Sequence, residues 1–109
     1  MGNPSVRGEK IFFRIKTPLN VEIRTTADYW HYITNIKHPV MEGKEAIVKN
    51  ILKAPDEIRR SKIDKEIFLY YKKLDKLYCA VARHLNGTGF LLTAYPTDKV
   101  KEGDSIWKK

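Results

Sequence analysis

Two histidines seven positions apart, His31 and His38, lie in the stretch TTADYWHYITNIKHP, Thr25–Pro39. At ~100° per residue, a helix over this stretch sets Tyr29, Ile33 and Ile36 on one stripe flanked by Trp30 and Tyr32. His31, Thr34, Asn35 and His38 gather opposite. Pro39 disfavours a helical conformation at His38 and leaves that residue at the frayed end. Further on, Arg83 stands inside an apolar, strand-like run, an odd place for a charge unless that face is open or binds an anion. Thr93 and Tyr95 alternate onto one face of the following run, and Tyr71 belongs to a neighbouring one. Whether Arg83 shares the face of Thr93 depends on how many residues the intervening loop uses. An imidazole, a guanidinium, a hydroxyl and a phenol together can grip a phosphodiester and move its protons.

Each of these side chains also has a plainer reading. His31 can be an exposed histidine on the polar side of a helix, and Arg83 can pair with Glu22 or Asp28. Tyr70, Tyr71, Tyr78 and Tyr95 can be half-buried strand aromatics. Other chemistries find less support. The histidines, the single cysteine and the scattered carboxylates show neither CxxC nor HxxxH, so no metal site is expected. There is no Walker loop and no dinucleotide fingerprint, and no cofactor is expected. Asn86-Gly87-Thr88-Gly89 is glycine-rich, but the strand-like runs on both sides make it a hairpin turn. Ser5, Ser61 and Ser105 fall in expected loops or tails, which leaves a serine triad without support. Cys79, in an apolar run, reads as a buried structural thiol.

The elements that must position these groups follow in order. Met1–Lys10 reads as a loose lead-in before a single domain over residues 11–109. Ile11–Lys16 and Val21–Arg24 alternate and join through Thr17-Pro18-Leu19-Asn20 as a hairpin. The helix follows, with Thr25 as its expected N-cap and Asp28 near the favourable end of the dipole. A second helix is expected over Lys44–Lys53, with Ile47, Val48, Ile51 and Leu52 on one side. Pro55-Asp56-Glu57-Ile58 then reads as a turn, and Arg59 to Glu66 as polar connection. Ile67–Lys72, Leu77–Leu85 and Phe90–Tyr95 read as a three-stranded antiparallel meander closed by Pro96. In the tail, Ile106 and Trp107 are expected to pack back on the body. Helices and strands are segregated, so the class is α+β, with an N-terminal β-hairpin and two helices packed on an antiparallel β-meander.

The bulk composition of these 109 residues, 42% hydrophobic and 31% charged, is that of an ordinary globular chain. No apolar run approaches the ~20 residues of a membrane span, and neither a signal peptide nor a myristoylation motif is recognised at the N-terminus. One cysteine excludes a disulfide framework, and a cytoplasmic home is expected. The net charge of +8 favours polyanionic partners, nucleic acid first and an acidic protein or anionic membrane second. RNA is the expected partner, and no membrane association is expected.

Trp30-His31-Tyr32-Ile33, then His38-Pro39, then Pro55-Asp56-Glu57-Ile58, then Arg83 and Thr93-Ala94-Tyr95 occur in that order. This pattern, spanning roughly Val21 to Trp107, resembles phage- or mobile-element-associated domains of the barnase–EndoU–colicin–RelE superfamily. The resemblance implies a barnase- or RelE-like fold and metal-independent RNA cleavage. In that reaction the ribose 2′-oxygen attacks the adjacent phosphorus, giving a cyclic phosphate and a free 5′-hydroxyl. It assigns His31 as general base or acid and His38 as a second proton-transfer or positioning group. Arg83 would neutralise phosphate, and Thr93 and Tyr95 would hydrogen-bond phosphate or base. Beside these, Tyr71, Arg59 and Lys72 are expected to contact substrate. Two departures are visible: Val40-Met41 separate His38-Pro39 from Glu42, and arginine replaces the more usual lysine at Arg83. The expectation is a small endoribonuclease, of the toxin or effector type, with an acidic antitoxin as a possible partner. The alternatives are a non-catalytic module that binds RNA or an acidic protein, and a regulatory interaction domain.

Overall fold

The computed structural model describes residues 10–100 and 102–109. The expected lead-in therefore lies almost wholly outside the described residues. Ile11–Lys16 (β1) and Glu22–Thr26 (β2) form the hairpin, closed by Thr17 N–H to Val21 O and by Asn20 at φ 64°. Thr26, not Thr25, caps the first helix, its hydroxyl accepting from the Tyr29 N–H at 3.1 Å.

That helix is shorter than its apolar stripe suggests. Ala27–Tyr32 (α1) is regular, but Ile33–Lys37 widens into a π-helical turn, in which the His38 N–H reaches back to Ile33 O at 2.7 Å. The wider turn shifts the phase of the buried stripe. Trp30, Ile33 and Thr34 go inward, whereas Ile36 is 68% exposed. Pro39–Met41 makes a short 3₁₀ turn before Glu45–Lys53 (α2), whose Val48, Ile51 and Leu52 are fully buried, as alternation over a helical period requires.

The segment after Pro55 departs from the expected turn. Glu57–Arg60 (β3) is a strand, followed by Ile67–Lys73 (β4), Leu77–Leu85 (β5), Thr88–Thr97 (β6) and Asp104–Lys108 (β7). Only Ile58 of β3 points into the core, so the polar EIRR carries too little apolar signal to announce a strand. β6 continues through Pro96, beyond the expected stop; Pro96 lies opposite Tyr78 of β5, and with β2 no longer alongside, β6 is an edge strand there, the setting in which a sheet tolerates proline. The tail is β7, hydrogen-bonded to β3. Trp107 packs on the core, while Ile106, the extra residue of a bulge, stays 43% exposed.

Among the described residues, seven strands join one sheet in the order β1-β2-β6-β5-β4-β3-β7. The sheet is mixed: β2 runs parallel to β6 for three residue pairs, Glu22–Arg24 beside Thr88–Phe90. The class is α+β, with the expected hairpin and meander present but fused through this parallel contact. Gly89 is required at the junction, since a Cβ there would collide with the Arg83 carbonyl oxygen and crowd Ile23.

The helices cover one face of the sheet. Phe13, Ile23, Tyr70, Tyr78, Ala80, Ala82, Leu91 and Ala94 meet Trp30, Ile33, Val48, Ile51 and Leu52 there. Leu69, Tyr71 and Cys79 form a smaller apolar patch on the opposite, outer face. No helix among the described residues is long and apolar enough to cross a membrane.

Candidate nucleic-acid interface

The turn between β5 and β6 uses two residues, Asn86 at φ 47° and Gly87 at φ 83°, the type I′ geometry that such tight hairpins favour. From this turn Leu85 faces Thr88, Arg83 faces Phe90 and Ala82 faces Leu91. A bulge then inserts one residue, Leu92, so that Val81 faces Thr93 and Cys79 faces Tyr95. Without the bulge Thr93 would face Ala80 and turn toward the helices. With it, Arg83, Thr93 and Tyr95 share the outer face.

Five of the expected site residues lie on that face, since Arg59 pairs with Leu69 and Tyr71 with Cys79. Thr93 and Tyr95, with Leu69, Val81, Ile67 and Ile63, line a groove of about 510 Å³. Burial, with the neighbouring Cys79 thiol adding to it, pushes the phenols of Tyr71 and Tyr95 well above their ordinary value. Neither is a ready acid or base near neutrality. Cys79 is a free thiol pushed up to about 12 by burial, as suits a structural role.

The cations of this half of the face are occupied. Arg83 pairs with Glu66 at 2.7 Å and Asp64 at 3.3 Å. Arg59 bonds Glu57 at 2.8 Å and the carbonyls of Glu102 and Gly103 at 2.7 Å each, holding the chain that leads into β7. Lys72 lies on the other face, opposite Tyr78, with its ammonium on Ala54 O at 2.7 Å and 3.8 Å from Asp56.

The two helix histidines part company. His31 is exposed and its ring pairs with Asn35 one turn on, while Arg83 is engaged at the outer-face end of β5. His38 comes close to an expected partner: its ring lies 5.1 Å from that of Tyr95. Burial, reinforced by the Lys37 ammonium, lowers its pKa, so it is mostly neutral near pH 7.

No protein-family model, curated protein or solved structure matches this chain.

One transverse row of the outer face escapes a residue-by-residue reading of the sequence. Arg14 faces Arg24, Arg24 faces Phe90, Phe90 faces Arg83 and Arg83 faces Ile67. Like charges directly opposite on a sheet are destabilising, yet Arg14 and Arg24 are both exposed and, among the described residues, neither has a carboxylate within 4.0 Å. Arg24 is held in place by Thr88 Oγ1 at 3.0 Å and Gly89 O at 3.5 Å, both of them acceptors without charge. Two residues beyond Phe90 on β6, Leu92 O accepts from the Lys37 ammonium at 3.2 Å, and that ammonium also lies 5.6 Å from the Tyr32 ring and 6.0 Å from that of Tyr29. The signal for Arg14 and Arg24 was present as alternation, which put both off the core side of their strands. Their alignment with Phe90 was not, because parallel pairing leaves no local trace in sequence.

His84 is a second residue that motif reading passed over. It stacks on Phe68 at 3.8 Å and pairs with the Tyr70 hydroxyl at 2.8 Å on the helix side of β5. Burial, with Arg60 nearby, lowers its pKa to about 4. It is a packed, neutral imidazole.

Proposed function

We propose that the protein binds RNA on the helix-free face of its sheet, with Arg14 and Arg24 contacting phosphates and Phe90 contacting bases. The observation that carries this reading is the Arg14–Arg24–Phe90 row: two opposed guanidiniums without an acidic partner among the described residues, continued by a half-exposed aromatic. Such an arrangement costs folding stability and is relieved by an anion. Cations interleaved with aromatic rings are the usual surface for a flexible nucleic-acid strand. The overall charge of +8 acts in the same direction by speeding encounter. Fluorescence anisotropy with a labelled single-stranded RNA tests it. Affinity should fall with salt, with a logarithmic slope of about −2 if Arg14, Arg24 and Lys37 each neutralise one phosphate. It should collapse in the Arg14→Ala, Arg24→Ala double variant. Salt-independent affinity, or affinity unchanged in that variant, contradicts the reading.

Cleavage of the bound strand is the second reading, favoured by the contact of His38 with Tyr95 beside the groove that contains Thr93. A largely neutral imidazole there is a suitable general base for a 2′-hydroxyl. This reading carries with it the proposed barnase- or RelE-like relationship, the toxin-type role and an acidic antitoxin as partner. It predicts cleavage that persists in EDTA and disappears in His38→Ala. Loss in His31→Ala instead would return the base to the helix position that the motif resemblance assigns.

A further inference from the structure

β2 and β6 run side by side only as far as Arg24 and Phe90. Beyond that point β2 leads into α1 while β6 continues to Thr97, and the two strands fork. The fork holds a pocket of about 190 Å³ lined by Arg24, Thr25, Thr26, Tyr29, Phe90 and Leu91. Its geometry is pinned at both sides. Tyr29 donates its hydroxyl to Leu92 O at 2.9 Å, and Arg24 is tied to Thr88 and Gly89. At the pocket stands Thr25, only 3% exposed, whose hydroxyl has no hydrogen-bond partner. An orphaned buried hydroxyl is a standing cost to the fold and calls for an explanation.

We infer that this fork takes one unpaired nucleobase, making the surface selective for single-stranded nucleic acid; the inference rests on the RNA-binding reading above. The volume is smaller than the several hundred Å³ of a pocket for a whole drug-sized ligand. It suits a single flat heterocycle. Phe90 and Tyr29 supply aromatic walls, and the Thr25 hydroxyl, both donor and acceptor but shielded on the Phe13 side of β2, is the lining group left unpaired for the polar edge of a base that enters. Arg24 lines the same pocket and belongs to the cationic row, so a base in the fork brings its own phosphate onto Arg24 and the next onto Arg14. In a duplex that base edge is already paired and the stack is closed, so the fork stays empty and only the cations contribute.

The full chain is titrated with a labelled ten-nucleotide RNA, alone and annealed to its complement, at the same salt. Phe90→Leu and Thr25→Val are measured beside the parent, with folding checked by circular dichroism melting. The single strand should bind at least tenfold tighter than the duplex, in line with the stacking of one base. Phe90→Leu should remove most of that preference while leaving duplex affinity in place. Thr25→Val keeps the shape of the side chain and discards the orphan, so it should melt higher and still bind the single strand several-fold more weakly. Equal affinity for the two forms, or single-strand affinity untouched in both variants, overturns the base pocket and leaves the cationic row standing. Absence of binding to either form overturns the RNA reading and this inference with it.

Discussion

Two halves of one sheet face carry the same kind of residue in opposite electrostatic states. On the β4–β5 half, Arg83 is bound by Glu66 and Asp64, and on β3 Arg59 is bound by Glu57 and two backbone carbonyls. On the β1–β2 half, Arg14 and Arg24 face one another and, among the described residues, have no acidic partner. An arginine paired with carboxylates has its charge balanced inside the protein. An arginine kept beside another one, hydrogen-bonded at most to uncharged acceptors, has charge left for something outside. The difference separates clamps from contacts, which arginine content alone cannot do.

Five variants break or sharpen that comparison. The largest effect is expected from Gly89→Ala, which forces a Cβ onto the Arg83 carbonyl oxygen at the only place where β2 meets β6. We expect a loss of roughly 2–4 kcal/mol in chemical denaturation. Both halves of the face should be damaged together, because their alignment depends on that junction.

Arg14→Glu with Arg24→Glu should then lower single-stranded RNA affinity by about two orders of magnitude at moderate salt, through lost phosphate contacts and added repulsion. Arg83→Gln, on the same face, should change RNA affinity less than twofold in the same titration. Equal losses in the two experiments would erase the distinction between the halves.

A smaller and more pointed effect is expected on stability. Arg14→Thr removes one of two opposed like charges and introduces a good strand former. It should raise stability by about 0.5 kcal/mol while weakening RNA binding. Arg83→Gln should do the reverse, lowering the melting temperature while sparing affinity. Opposite signs in the two assays are the signature of a contact traded against stability.

The last change acts on the other side of β5. His84 has a folded pKa of about 4, below its ordinary 6.5. Its neutral form is therefore favoured in the fold, and its contribution is fully present above pH 6.5. That contribution is lost as pH falls from 6.5 toward 4, while the unfolded chain takes up the proton first. Between pH 7 and pH 5 the loss should be roughly 1 kcal/mol after allowance for partial exposure. The slope should flatten in His84→Phe.

Much of the frame was legible in the sequence because its signals are local. The apolar runs of β4 and β5, the Asn86-Gly87 turn and the buried side of α2 each declare themselves within ten residues or fewer. β3 and β7 did not. EIRR and DSIWK are mostly polar; β3 becomes a strand because β4 and β7 pair with it on either side, β7 because β3 pairs with it, and Ile58 and Trp107 meet the core. The π-helical turn moved Ile36 out and Thr34 in, since a stripe drawn at ~100° per residue assumes an unbroken α-helix.

For the site, one bulge decided the outcome. Leu92 is an ordinary residue in FLLTAY, yet its insertion brings Thr93 and Tyr95 to the face of Arg83. The Arg14–Arg24–Phe90 row was hidden for a different reason. Arg24 and Phe90 are far apart in sequence, and each alone looks like a solvated side chain. His31 showed the converse, being conspicuous in the sequence and exposed beside Asn35 in the fold.

The central claim is that RNA lies across the β1–β2–β6 half of the outer face. Backbone amide chemical shifts recorded during titration with an unlabelled single-stranded RNA test it residue by residue. The largest changes should cluster at Arg14, Arg24, Thr25, Thr88 and Phe90, with smaller ones at Lys37. Changes centred instead on α2, or on β3 and β7, with Arg14 and Arg24 undisturbed, would contradict it.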